Sequence, residues 1–172
     1  MKASDFPPEV LKLFDKYVHG IIDRRSFLNG AAKFAVGGLT AGGMLEALRP
    51  RYAWARQVSP DDARIQAEYV EYDSPNGSGR MRGYMSRPAT TEPKPAVFVI
   101  HENRGLNPYI EDVVRRFAAA DFLALGPDAL TPLGGYPGND DDGRTMQGQL
   151  ERATMVEDFV AAAEFLMEHG KY

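Results

Sequence analysis

Five consecutive residues, His101-Glu102-Asn103-Arg104-Gly105, place an imidazole, a carboxylate, an amide, a guanidinium and a glycine directly after the uncharged run Ala96-Val97-Phe98-Val99-Ile100. A carboxylate in that position has two chemical uses. It can take a proton from a nucleophile at hydrogen-bond range, or it can serve as an ion-pair partner, with Arg104 close by. Other chemistries fail on the residues themselves. His101-Glu102 begins like a zinc-protease helix but has no second histidine, and it follows an apolar run. Asn139-Asp140-Asp141-Asp142-Gly143 lacks the alternation and distal Glu of a calcium loop and reads as a solvated acidic loop. Gly134-Gly135 is too little for a phosphate cradle. No metal site and no cofactor is expected.

Nucleophiles are just as restricted. The chain has no cysteine. None of Ser4, Ser26, Ser59, Ser74, Ser78 and Ser86 stands in a Gly-x-Ser-x-Gly setting, and Gly77-Ser78-Gly79 is a turn. The three histidines, His19, His101 and His169, are too scattered in chemistry-bearing context to build a triad.

The elements that must position these groups are legible in outline. Alternation over Ile65 to Tyr72 predicts a strand. Asp73 to Gly79 is a strong turn signal, and Arg80 to Arg87 forms the second arm of a hairpin. Ala96 to Ile100 reads as a strand buried on both faces. Asn107 caps a helix with Pro108 at its first position, and Ile110, Val113, Val114, Phe117 and Ala118 lie on one face. Phe122 to Leu125 is a short strand, Gly134 to Arg144 a loop, and Gln149 to His169 a helix with Leu150, Ala153, Val156, Phe159, Val160, Ala163 and Leu166 as its stripe. A hairpin followed by strand, helix, strand and helix implies an α/β fold with parallel crossover units. Glu102 and Asp128 then stand at carboxyl ends of strands, where such sheets bind ligands.

Composition bounds the rest. A chain of 172 residues, 44% hydrophobic and 26% charged, describes an ordinary globular protein with net charge −4. Residues 1–55 carry eight Lys/Arg against five Asp/Glu, whereas the remainder is acidic, which argues against a nucleic-acid partner. Arg24-Arg25 is followed by Phe27 and Leu28, an uncharged run from Phe34 to Leu45 with four glycines (Gly37, Gly38, Gly42, Gly43), and small Ala53 and Ala55 around Trp54. That order resembles a twin-arginine export signal with its cleavage site, which implies the twin-arginine export machinery as a partner and a periplasmic destination. Two alternatives stay open: a buried helix over Phe34 to Leu48 in a cytoplasmic protein, and an uncleaved, membrane-tethering leader. Val10, Leu11, Phe14 and Val18 recur at helical spacing. The expected organisation is a leader over 1–55, a polar linker over 56–63 and an α/β unit over 64–172.

The stretch VFVIHENRGLNPYIEDVVRRFAAADFLALGPDALTPLGGYPG, Val97 to Gly138, resembles the dienelactone hydrolase family of α/β-hydrolases, in particular its exported branch. The resemblance extends into the hairpin before and the helix after, and it corresponds to the N-terminal half of that family's domain. It implies a partial α/β-hydrolase fold and hydrolysis of a small ester or lactone through a Cys or Ser nucleophile, an Asp and a His. Glu102 would hold and then deprotonate the nucleophile. The Asn103 N–H would supply half of an oxyanion hole, and His101, Arg104 and Gly105 would complete the substrate loop. The family recognises a substrate carboxylate in the loop equivalent to Ala129 to Tyr136, where this sequence has no arginine.

The nucleophile, Asp and His of that family come later than the matched stretch, so a hydrolase reading requires them from further polypeptide, whether an interrupted frame or a C-terminal half on a second chain. The chain alone is then expected to be sticky and inactive on esters. The alternative is a non-catalytic binding or interaction module that works as the short chain. Against it stands the strand Ala96 to Ile100, which would keep an open, aggregation-prone edge.

Overall fold

The computed structural model describes residues 5–35, 39–49 and 56–169 and divides into two compact units, Met1–Arg51 and Tyr52–Tyr172. The first unit is helical. Helix α1 (Pro8–Val18) is followed by α2 (Arg24–Ala31), a 3-10 turn (Ala32–Phe34) and α3 (Ala41–Leu48). Asp23 caps α2 by accepting the Ser26 N–H at 2.7 Å, and Thr40 caps α3 by accepting the Gly43 N–H at 3.0 Å. Phe6, Val10, Tyr17, Phe27, Ala31, Met44 and Leu45 are buried together. The helical spacing of Val10, Leu11, Phe14 and Val18 thus lies on α1. The segment expected to be a leader outside the fold has a core of its own. Gly37, Gly38, Ala53, Trp54 and Ala55, which carried part of the export reading, lie outside the described residues. Among the described residues no helix is long and apolar enough to cross a membrane.

The second unit is an α/β layer structure. Strand β1 (Ile65–Ser74) pairs antiparallel with β2 (Gly79–Pro88) along its full length, from Ile65 opposite Pro88 to Ser74 opposite Gly79. Strand β3 (Ala96–Phe98) leads through a loop to α4 (Pro108–Ala119), then β4 (Leu123–Pro127), a 3-10 turn (Thr131–Leu133), α5 (Asp140–Gln147) and α6 (Arg152–His169). The sheet order is β1-β2-β4-β3, with β4 antiparallel to β2 and parallel to β3. Successive side chains of a strand point to opposite faces, so each face can be assigned. Tyr84, Val99, Leu106, Val114 and Ala124 pack on the α4 side, and Tyr72, Met81, Met85, Leu123, Leu125, Ala162 and Leu166 on the α6 side.

Four expectations change. Residues 56–63 are not a free linker. The buried Asp112 carboxylate of α4 accepts the N–H groups of Gln57 and Val58 at 3.1 and 3.0 Å, and the buried Arg115 guanidinium donates to Val58 O at 2.8 Å and to the Tyr84 hydroxyl at 3.0 Å. A buried charge must be matched by hydrogen bonds or opposite charge; this segment supplies hydrogen bonds to both residues, and Arg115 and Arg116 each lie 3.6 Å from the Asp112 carboxylate. Second, β3 is a three-residue strand that, among the described residues, has a neighbour on one side only. Val97 and Phe98 are half-buried and Ile100 is 61% exposed, so the run is not buried on both faces. Third, the expected loop over Gly134 to Arg144 contains α5, because Asn139 accepts the Asp142 N–H at 2.9 Å and caps a helix there.

Fourth, α6 starts after Glu151, whose carboxylate accepts the Thr154 N–H at 2.7 Å, and its covered face is rotated from the expected stripe. Asp158, Ala162, Phe165 and Leu166 face the sheet, whereas Val156, Val160 and Met167 are exposed. The cause is polar. Buried Asp158 accepts both the backbone N–H and the hydroxyl of Ser78 at 2.7 Å, which ties the helix to the tip of the β1–β2 hairpin. Gly77 is required beside it, since a Cβ there would lie 2.2 Å from the Asp158 carboxylate.

Two hydrogen bonds to a buried charged acceptor set the expected effect of removing it. Asp158→Ala should destabilise the α/β unit by about 2 kcal/mol in urea unfolding; a loss under about 0.5 kcal/mol, typical of a surface site, would contradict this anchoring.

Candidate active site

Beyond Phe98 the chain stays against β4 for one more bond, Val99 N–H to Leu125 O at 2.8 Å, and then leaves the sheet. Residues His101 to Asn107 therefore lie at the carboxyl end of β3, beside Asp128 and Ala129 at the carboxyl end of β4. This is the rim where parallel α/β sheets bind ligands.

His101 is buried, with its ring edge-on to Phe159 of α6 at 5.8 Å between centroids. Its Nδ1 lies 2.7 Å from Glu102 O and its Nε2 3.1 Å from Ala129 N. Burial pushes its pKa below the ordinary histidine value, against an opposing pull from its neighbours Glu102 O and Asp128. His101 is thus a wall residue with both nitrogens engaged, not a group open to substrate. Glu102 and Asn103 are both exposed. Among the described residues the Glu102 carboxylate has no hydrogen-bond or ion-pair partner, and the Asn103 N–H donates to nothing.

The remainder of the loop is held from outside. Arg104, read as a partner for Glu102, instead donates to Asp140 Oδ2 at 2.8 Å, and the Tyr136 hydroxyl donates to Asp140 Oδ1 at 2.9 Å. The first turn of α5 supplies that aspartate. Gly143, on the same helix, sits so close to the loop that a Cβ would lie 2.4 Å from Arg104 O. Gly105 has φ +81°, a left-handed conformation that glycine adopts without penalty, and a Cβ there would meet Leu130 at 2.4 Å. Asn107 then caps α4 by accepting the N–H groups of Tyr109 and Ile110, each at 3.1 Å.

Asp128 is fully buried. Its carboxylate accepts the Leu130 N–H at 3.1 Å and the Arg82 guanidinium at 3.0 Å. Arg82 comes from β2, lies 4.7 Å over the Tyr69 ring, and stands against Gly135 in the loop that has no arginine of its own. Tyr69 donates its hydroxyl to Glu111 of α4; burial first, and that carboxylate second, raise its pKa and keep it a neutral phenol. Among the described residues no group of three His, Asp or Glu converges as metal ligands.

Three residues at this rim escape sequence reasoning. Arg82 reaches Asp128 only because β2 lies beside β4, a non-local pairing that no local pattern prints. Asp140 becomes visible once Asn139 is read as a helix cap three residues before Asp142, which puts Asp140 in the first turn, whereas the bond from Tyr136 to it is printed by no local pattern.

The sequence profile of the dienelactone hydrolase family matches residues 81–172, more than half of the chain. The chain belongs to that family. It is 56% identical over 114 residues to a protein of Escherichia coli (strain K12) named as a hydrolase fragment, YghX, covering 66% of this chain and 97% of that one. It is 42% identical over 62 residues to a protein of Saccharolobus solfataricus named as a carboxymethylenebutenolidase, covering 36% of this chain and 23% of that one. A solved structure from Klebsiella pneumoniae, titled as a dienelactone hydrolase, superposes with a TM-score of 0.49 at 25% identity, covering 60% of this chain and 45% of that one. The chain therefore spans nearly all of YghX and less than half of the other two proteins. Residues 1–35 match a separate family described as YqhI-like.

The contact of α5 with the loop can be tested directly. Gly143→Ala forces a methyl against the Arg104 carbonyl and should cost about 1–3 kcal/mol of stability in urea unfolding; an unchanged midpoint would show that α5 does not brace the loop.

Proposed function

We propose that residues 56–169 form one flank of an ester- or lactone-hydrolysing pocket in which Glu102 activates the nucleophile and the Asn103 N–H stabilises the oxyanion. The observation that carries this reading is selective: in the loop His101 to Asn107, the side chains of His101, Arg104 and Asn107 are engaged, whereas the Glu102 carboxylate and the Asn103 N–H are left open at the rim. Family membership supports the reaction class.

In this scheme a thiol or hydroxyl supplied by further polypeptide hydrogen-bonds to Glu102, which takes its proton as it attacks the substrate carbonyl. Negative charge then builds on the carbonyl oxygen and is met by the Asn103 N–H together with a second donor near the nucleophile. As the adduct collapses, the C–O bond to the alcohol breaks and the alcohol takes a proton from an acid, which the family resemblance assigns to a histidine outside these residues; water then attacks the acyl group left on the nucleophile, releasing the carboxylic acid and returning the thiol or hydroxyl. The further polypeptide would pair with the open edge of β3 and cover Ile100 and the exposed Val156, Val160 and Met167, each of which costs free energy while it faces water.

The export reading is a second, separable part of the proposal. It rests on Arg24 and Arg25, both exposed at the start of α2, and on the order of residues after them.

Three outcomes are expected. Translation of the DNA downstream of the Tyr172 codon in all three frames should yield a strand, a Gly-x-Cys-x-Gly or Gly-x-Ser-x-Gly turn, and then an Asp and a His. In a polypeptide that includes them, Glu102→Gln should lower kcat for an ester about 100-fold or more. Unrelated downstream sequence would favour a stand-alone module. For export, N-terminal sequencing of protein from the cell envelope should find a chain beginning near Arg56; a chain beginning at Met1 in the cytosol would defeat it.

A further inference from the structure

We propose that His101 is the positioning residue of the oxyanion-binding peptide: its imidazole, bound between Glu102 O and Ala129 N, fixes the Glu102–Asn103 peptide with its N–H turned away from the protein. This rests on the reading of Asn103 above and adds to it the group that sets the direction of its N–H.

The geometry leaves little freedom. Ala129 N–H can only donate, so Nε2 at 3.1 Å must be the unprotonated, accepting nitrogen. The neutral ring then carries its proton on Nδ1, which donates to Glu102 O at 2.7 Å. The Glu102 C=O and the Asn103 N–H are opposite ends of one planar peptide, and no cis peptide occurs among the described residues. Holding the carbonyl on a buried ring therefore points the N–H the other way, to the exposed side, where it has no partner among the described residues. The same ring joins the tips of β3 and β4, so the donor's position is referred to the sheet rather than to the loop. Phe159 of α6, edge-on to the imidazole, limits its rotation.

The arrangement works only for the neutral ring, since protonation of Nε2 sets two donors against each other at Ala129. The charged groups around it are Glu102 on its own loop and Asp128 from β4, which is itself tied to Arg82. From α6 the facing residue is the uncharged Phe159, while the Asp158 carboxylate is turned to Ser78. Burial dominates and lowers the folded-state pKa below the ordinary 6.5. The unfolded chain thus binds the proton more readily. The strut's contribution is fully present above pH 6.5 and is lost as the pH falls from 6.5 through the folded value.

Nuclear magnetic resonance on the isotopically labelled full chain tests this without any catalysis. At neutral pH the ring should show a protonated Nδ1 and an unprotonated Nε2, with Ala129 N–H protected from exchange and Asn103 N–H exchanging freely. His101→Phe keeps an aromatic ring against Phe159 but loses both bonds; Ala129 exchange should rise about tenfold and the Asn103 amide resonance should shift. His101→Asn, which returns a donor near Nδ1, should restore the Asn103 resonance and not the Ala129 protection. On acidification both amides of the native chain should respond together, with a midpoint below 6.5. A protonated Nε2 at neutral pH, or amides indifferent to both the His101→Phe change and the ring's titration, would overturn the proposal. If His101→Phe does not fold, the ring tautomer and the native-chain titration decide alone. Because none of these readings needs an ester to be cleaved, the strut can fail while the hydrolase reading stands, and the reverse.

Discussion

Strand Leu123–Pro127 has a partner on each side, β2 running against it and β3 running with it, and all five of its residues are buried. The remaining features of the α/β unit follow from that double pairing. A strand covered on both faces requires a layer of helix on each, and α4 and α6 supply them. Its carboxyl end then emerges next to that of β3, with the Arg82 position of β2 on the other side. Three chain segments distant in sequence thus converge on Asp128 and Ala129. Arg82 satisfies the buried Asp128 charge, and His101 accepts the Ala129 N–H. The loop that holds Glu102 and Asn103 is in this sense suspended from β4.

What was legible in the sequence was what local pattern encodes. The hairpin, the Asn107-Pro108 helix start, the order of the four strands with α4 and α6, and the place of His101 to Gly105 at a strand end all follow from alternation, capping and turn chemistry, and they appear in the structure. What was not legible depends on groups that periodicity counts as polar and therefore as solvent-facing. Asp158 sets the rotation of α6 by binding Ser78, so Val156 and Val160, which look like core, are exposed. Asp112 and Arg115 sit on the inner face of α4 and draw residues 57 and 58 onto the body. His101 reads as a chemistry-bearing residue and is a buried wall. In each case a buried polar group was satisfied by a partner far away in sequence, and such partners become visible only once the sheet order is known.

The open edge of β3 gives the same picture from the outside. One side of Ala96–Phe98 is paired, and the adjoining Ile100, together with Val156, Val160 and Met167 of α6, leaves apolar surface exposed. The rim, by contrast, is internally well ordered: Arg104, Asp140 and Tyr136 bond to one another and Gly105 and Gly143 allow close backbone approach. A braced rim beside a strand edge left unpaired among the described residues is what the proposed half-pocket reading requires, in which Glu102 and the Asn103 N–H would be preset and the attacking group would arrive with another segment.

Purified chain of 172 residues mixed with p-nitrophenyl acetate puts that claim to its most direct test, because the account requires a base and an oxyanion donor without a nucleophile. Release of p-nitrophenolate should match the buffer blank, with no burst and no dependence on protein concentration. Turnover that rises in proportion to the chain and disappears in Glu102→Gln would mean that these residues already hold a complete catalytic set, and the account would be wrong.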